Sequence, residues 1–236
     1  MMNSAIQNFI EKTKLDKEKT ISLIGGGGKT SLAYALSDQF SKKETTILTT
    51  TTHMLFPEHL HKNQICLCED ELEIKQKLSS SNLLFLAKPF TNNKLTSVST
   101  SFLENVLPQC DKMIIEADGS KHYPLKFEKD GEPAVPDFSD CVIQIAGASA
   151  FFKHASETLH RYEMAKEYFK WENDPRITAS ILSQLLIYNY NKVKTNRKII
   201  VINQIDTLED VSILFPLKEL LPYEIYFISI KDNLLL

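Results

Sequence analysis

The chain has 236 residues, of which 43% are apolar and 24% charged, with 27 Lys+Arg against 30 Asp+Glu for a formal net charge of −3. That mix belongs to a folded globular protein, and a near-neutral balance without a basic block argues against a nucleic-acid backbone or an anionic membrane surface as the main partner. No apolar run approaches the roughly 18 residues of a membrane span, and Met1 to Lys19 lacks the apolar stretch of a secretory signal, so a cytoplasmic protein is expected.

In chain order, Ile6, Phe9 and Ile10 are spaced like one face of a short N-terminal helix. Short β-branched or apolar runs follow over 20–24, 45–50, 83–87, 112–117, 141–146, 198–202 and 224–230. Most are continuous rather than alternating, the pattern of strands buried on both faces. Helical spacing lies between them: 31–40 with Leu32, Ala35 and Leu36 on one face, 71–78 behind an Asp70…Glu73 capping box, 102–107 behind Ser101, and 177–188 after Pro175. Alternating strands and helices predict an α/β domain with a parallel sheet flanked by helices, and ligands of such sheets sit at the carboxyl ends of the strands. Two regions break the alternation and predict an irregular insertion: 53–69, and 119–140 with Pro124, Pro133 and Pro136. A single domain over 1–236 is expected, with a candidate internal linker at 171–175.

Glycine is scarce except at one place. Four of the seven glycines stand together as Gly25, Gly26, Gly27 and Gly28, between the apolar run Ile21-Ser22-Leu23-Ile24 and Lys29-Thr30-Ser31, where a helix is predicted to start. Strand, glycine loop and helix form a phosphate cradle: loop amides and the helix N-terminus face the anion, Lys29 reaches the β and γ phosphates, and Thr30 offers a hydroxyl to Mg²⁺. The spacing is the shorter G-x-x-G-K-T form, similar to that of the Mur ligases, and it predicts a P-loop NTPase type of fold. A second run, 112–117, ends in Glu116 and Asp118, two residues apart and therefore on one face; one would hold Mg²⁺ and the other orient or deprotonate a nucleophile. A third ends in Asn203-Gln204-Ile205-Asp206, similar to the Asn-Lys-x-Asp of GTPases, in which the aspartate accepts from the guanine N1–H and 2-amino groups. The competing reading makes Asp206 and Glu209 a capping box. Thr50 and Thr51, within the threonine run 49–52, are placed near the γ phosphate.

Cys66, Cys68, Cys110 and Cys141 are too few and too irregular for a disulfide framework and are expected to be buried thiols. His53, His59, His61, Cys66 and Cys68 invite a metal site, but their spacing matches no common zinc pattern.

The blocks Gly25 to Thr30, Leu48 to His53, Glu116-Ala117-Asp118-Gly119-Ser120, Pro124-Leu125-Lys126, Glu132-Pro133, His160-Arg161 and Asn203 to Asp206 resemble, in this order over nearly the whole chain, the selenium-dependent hydroxylase accessory proteins of the YqeC family. The resemblance implies a P-loop nucleotide-binding protein that serves the maturation of selenium-dependent molybdenum hydroxylases, with such a hydroxylase or its cofactor-maturation proteins as partner. It also draws attention to Lys126, Glu132, His160 and Arg161 as contacts for an anionic second substrate. Phe127 departs from the small residues and proline that tend to follow the Pro-Leu-Lys block.

The expected function is therefore binding of a purine nucleotide, GTP or ATP, with Mg²⁺, and phosphoryl transfer to water or a nucleotide-driven switch. Lys29, Glu116 and Asp118 would be catalytic, and Gly25 to Ser31 with Asn203 and Asp206 would bind the nucleotide. Two alternatives are an ATP-dependent kinase or ligase for a small molecule or cofactor precursor, and a nucleotide-gated chaperone that turns over little.

Overall fold

A computed structural model describes residues 4–91 and 94–236. Its strands are β1 (Thr20–Gly25), β2 (Thr46–Thr50), β3 (His53–Leu55), β4 (Ile65–Cys66), β5 (Leu83–Leu86), β6 (Lys88–Pro89), β7 (Lys94–Thr96), β8 (Lys112–Glu116), β9 (Leu125–Lys126), β10 (Cys141–Gly147), β11 (Leu159–His160), β12 (Arg197–Asn203), β13 (Glu224–Ser229) and β14 (Leu234–Leu235). The helices are α1 (Ser4–Thr13), α2 (Lys29–Phe40), α3 (Glu71–Leu78), α4 (Thr100–Val106), α5 (Ala155–Thr158), α6 (Tyr162–Phe169), α7 (Ala179–Asn191) and α8 (Leu217–Leu220).

The main sheet runs β14-β13-β12-β10-β1-β8-β2-β5-β4, parallel throughout except for β14. Its strands carry apolar residues on both faces because both are covered. Ile21, Leu23, Ile114, Ile143 and Val201 pack with Ile6, Phe9, Leu32 and Leu36 of α1 and α2. Ile24, Met113, Ile115, Val142 and Ile200 pack with Ile74, Leu103, Leu182 and Leu186 of α3, α4 and α7. From β1 the chain builds β2, β4 and β5 on one side, returns through β8, and then builds β10, β12 and β13 on the other. The carboxyl end of β1 therefore lies where the winding reverses, the place where such sheets open a crevice.

The seven predicted strands all form, with ends shifted by one residue or so. Helix α2 starts at Lys29 rather than 31, directly on the glycine loop. The cap of α4 is Ser99, whose hydroxyl oxygen accepts from the Phe102 N–H; Ser101 lies inside the helix. Region 53–69 is less irregular than expected, since β3 pairs with β7 in a small antiparallel sheet and β4 extends the main one. Phe127 stacks on Tyr188 with ring centroids 4.2 Å apart and meets Tyr168 and Phe169, so an aromatic cluster anchors the chain after β9.

Tyr190 at the end of α7 is fully buried between β10 and β12. Its hydroxyl accepts from the Gln144 N–H at 2.9 Å and faces the carbonyls of Val142 and Ile199. Tyr190→Phe strands the Gln144 N–H in a dry site and is expected to cost about 1–3 kcal/mol. The measurement is a urea unfolding curve whose midpoint falls at unchanged slope.

Candidate functional site

The glycine loop is clamped from three sides. Gly25 and Gly27 have φ of +96° and +74°, and a Cβ would lie 2.2 Å from the Ile145 carbonyl oxygen at Gly25 and 2.3 Å from the Gly147 nitrogen at Gly27. Both the backbone twist and the close approach of β10 demand glycine. The Gly26 N–H donates to the Ile145 carbonyl at 2.9 Å and the Gly27 N–H to the Tyr123 carbonyl at 3.2 Å. Asn203 donates from Nδ2 to the Gly27 carbonyl at 2.8 Å and accepts at Oδ1 from the Ile230 N–H at 3.2 Å, so the carboxyl ends of β12 and β13 brace the loop.

Glu116 and Asp118 both flank the loop, but they do not share one open cleft. Thr30 donates its hydroxyl to Glu116 Oε2 at 2.8 Å, and both residues line a cavity of about 670 Å³. Asp118 is sealed: it is 0% exposed, accepts from the Gly25 N–H at 2.7 Å, and lies 3.0 Å from Lys29 Nζ and 3.1 Å from Lys126 Nζ. The expectation that both carboxylates face the cleft is corrected accordingly. The Lys29 ammonium also donates to the Gly25 carbonyl.

Lys126, expected to meet a second substrate, is equally buried and does not line the cavity. Its Nζ lies 2.7 Å from Glu128 Oε2 and 2.9 Å from Glu132 Oε2. Glu132 in turn takes both arms of Arg161, at 2.7 and 2.8 Å, and these two residues line the cavity together with His160. Lys29, Lys126 and Arg161 are thus threaded through Asp118, Glu128 and Glu132 from the glycine loop to the far wall of the cavity. Burial alone would raise Asp118, but Lys29, a hydrogen bond from Glu128, and Lys126 hold it down to about 2. Burial and the neighbouring Asp118 push Glu128 up to about 9, so it is the protonated member. Arg161 and Lys126 overcome partial burial and hold Glu132 at about 2. Burial, then Arg161 and other cations, drive His160 down to about 4, leaving a neutral imidazole at pH 7. Desolvation raises Glu116 against the opposing pull of Lys29 and Thr30.

The other expected residues divide. Gly27, Gly28, Ser31 and Gln204 line the cavity. Thr50 and Thr51 do not: their hydroxyls donate to the backbone carbonyls of Glu116 and Ala134, at 2.9 and 2.7 Å. Thr52 lines the cavity in their place. Asp206 caps no helix. Its Oδ1 accepts the Ser229 hydroxyl at 2.6 Å, and Asp210 is the residue that caps the next turn, Val211–Leu214. Sequence reasoning passed over Ser229 and Ile230, because a hydroxyl inside a β-branched run reads as strand, and Glu128, although its two-residue spacing from Lys126 put both on one side of an extended chain.

Two expectations follow from the buried cluster. Lys126→Met leaves Asp118 and Glu132 without their shared cation and should cost about 3–5 kcal/mol in urea unfolding. The pH profile has two limbs with opposite signs. Asp118 and Glu132, held at about 2, contribute stability above the ordinary carboxylate range that is lost as pH falls through their folded values. Glu128, held up at about 9, contributes stability that is complete below its unfolded pKa and declines as pH rises toward 9. Glu128→Gln, which fixes the protonated shape, should flatten the decline between pH 5 and 9 and leave the acid limb in place; an unchanged alkaline slope defeats the assignment.

Comparison with known proteins assigns the chain to a family. The family model described as YqeC protein matches residues 21–163. An Escherichia coli (strain K12) relative, "Uncharacterized protein YqeC", is 30% identical over 172 residues, covering 70% of this chain and 66% of its own length, slightly less than two thirds. Among solved structures, the hydrogenase maturation factor HypB from Archaeoglobus fulgidus aligns over 98% of this chain and 91% of that one, at 9% identity and a TM-score of 0.41. Glycine loop, Glu-Ala-Asp-Gly-Ser block and Arg161 all fall inside the matched span, and the chain belongs to the YqeC family.

Proposed function

We propose that the protein binds a guanine nucleotide with Mg²⁺ and hydrolyses it, or switches on it, in support of the maturation of selenium-dependent molybdenum hydroxylases. The observation that carries the reading is the carboxyl edge of the sheet: Lys29, Thr30 and Glu116 stand together at β1 and β8, and the Asp206 carboxylate is held by Ser229 two strands away, beyond β12. Two strand spacings amount to about 10 Å, a span that a nucleotide covers between phosphate and base. The Thr30 hydroxyl and Glu116 carboxylate are oxygen donors of the kind Mg²⁺ takes, and the ion would neutralise charge on the phosphate oxygens. Lys29 leaves the Gly25 carbonyl to reach those oxygens, and Asp118 keeps Lys126 as partner when it does. Glu116 works on the metal side, and Asp118 positions Lys29. Asn203 fixes the loop, leaving Asp206 to read the base. The hydroxylase partner rests on family resemblance.

The cavity also favours a second reading. Its wall beyond Lys29 includes His53, Lys94, Lys121, His122 and Arg161, a lining suited to an anionic acceptor, as a kinase or ligase would need. That reading predicts negligible hydrolysis until an acceptor is added.

The deciding experiment titrates the protein with GTP and ATP in Mg²⁺, with Lys29→Ala as the loop control. GTP is expected to bind at least tenfold tighter, about 1.4 kcal/mol, and Lys29→Ala to weaken both. Asp206→Asn exchanges an acceptor for a donor opposite the 2-amino group, so preference should move from GTP toward xanthosine triphosphate, whose 2-position is a carbonyl. Equal or tighter ATP binding overturns the guanine assignment and moves the kinase or ligase reading ahead.

A further inference from the structure

A second cluster of chemistry-bearing side chains lies away from the nucleotide cavity, at the outer edge of the sheet. Edge strand β4 ends at Cys66, the chain continues through Leu67 to Cys68, and α3 brings Glu73 of its first turn over both. Residues two apart on an extended segment point to one side, which sets the two thiols together. Their sulfurs are 3.7 Å apart, Cys68 Sγ is 3.0 Å from Glu73 Oε2, and the three ligand atoms lie within 4.8 Å of one another. His53, His59 and His61, the other groups that the sequence offers, do not join them: His53 stacks on Phe90 and His59 packs on Tyr34.

The distances discriminate among metal geometries. Two thiolates on a tetrahedral zinc ion at 2.3 Å are about 3.8 Å apart, which the observed 3.7 Å meets without rearrangement. A two-coordinate linear ion with bonds of the same length requires about 4.6 Å. A thiolate and a carboxylate oxygen on the same tetrahedron are about 3.5 Å apart, so Glu73 needs only a small rotation from its 3.0 Å contact. Two thiolates and one carboxylate leave a divalent ion with one excess negative charge, and Lys77, 3.4 Å from Glu73, supplies the compensating positive charge. Cys66 is fully buried, while Cys68 and Glu73 are half-exposed, so the cluster is reachable from the Cys68 and Glu73 side.

We propose that Cys66, Cys68 and Glu73 form a three-ligand site for one zinc-type divalent ion, with the fourth tetrahedral position open to water or an exchanging ligand. The site does not depend on the nucleotide assignment: β4 and β1 are separated by four strand spacings, about 19 Å. An open fourth position suits a site that gains and loses its ion rather than a closed structural one.

The test uses the full chain, reduced and stripped of metal, titrated first with Zn²⁺ against a chromophoric chelator and then with Co²⁺. One Zn²⁺ per chain is expected, and Co²⁺ should give visible d–d bands of tetrahedral intensity with a near-ultraviolet thiolate charge-transfer band. Cys68→Ser, at a half-exposed position that can accept a hydroxyl without loss of fold, should weaken Zn²⁺ at least tenfold and remove most of the charge-transfer band. Glu73→Gln should weaken binding while keeping that band, and Cys110→Ser should change neither. The proposal is overturned by Zn²⁺ stoichiometry well below one, by Co²⁺ spectra without thiolate charge transfer, by a Cys68→Ser protein that binds like the parent, or by a Cys66–Cys68 disulfide that persists in reducing buffer.

Discussion

Asp118 is a carboxylate with no exposure to solvent, placed between the glycine loop and the cavity floor. A lone charge in such a place would neutralise itself; here two ammonium groups and a backbone N–H hold it ionised. The consequences spread outward. Because Asp118 takes the Gly25 N–H, the loop is pinned at Gly25, and because it takes Lys29, the first residue of α2 is held against the loop. Lys126 is the second cation, so the segment 124–128 must run close beneath the loop, where the Tyr123 carbonyl receives the Gly27 N–H. One buried anion thus ties the glycine loop and the start of α2 to the segment after β8.

The cluster is asymmetric in a way that suits anion binding. Three cations face three carboxyls, and with Glu128 protonated the balance is one positive charge. If a bound phosphate drew Lys29 away, Asp118 would still keep Lys126, which it shares with Glu128 and Glu132, so the carboxylate would not be stranded. Arg161 is held through Glu132 on the opposite wall. The loop and that wall are joined through Lys126, whose contacts with Asp118, Glu128 and Glu132 are close to equivalent at 3.1, 2.7 and 2.9 Å. Coupling through such a chain follows contact rather than distance, and it requires Lys126 to redistribute among its three partners.

The sheet was legible in the sequence because continuous apolar runs have one explanation in a protein of this size, burial on both faces, and 112–117 and 198–202 could hardly be anything else. The glycine loop was legible because four adjacent glycines need a backbone reason. Glu116 and Asp118 could be located but not ranked: strand periodicity puts both beside the loop, and only the path of 119–128 beneath it decides which one is sealed. Asp206 was ambiguous for a similar reason. Its partner Ser229 is 23 residues further on, whereas its rival partner Glu209 was three residues away, and local spacing always favours the nearer explanation. The family resemblance found Lys126 and Arg161 as residues to inspect but gave no sign that one of them is a buried keystone. Cys66 and Cys68 were set aside with the histidines because motif spacing is defined along the chain, whereas Glu73 completes the cluster only when α3 folds over β4.

The two candidate sites share a chain segment, and that sets how they could communicate. Strand β3 contributes His53, Met54 and Leu55 to the cavity wall, and the same segment continues to Cys66 and Cys68. Between them the main sheet interposes β8, β2 and β5, packed on both faces, so any strain passed this way moves through close-packed strands. The covalent route between them is 53–68, a run with short pairings: β3 joins the small sheet through three residue pairs and β4 joins β5 through two. If an ion on Cys66 and Cys68 restricts this run, it also restricts the wall that His53 to Leu55 present to the cavity, and linkage would make the effect reciprocal: whatever the ion did to the affinity of a ligand in the cavity, that ligand would do to ion affinity by the same factor.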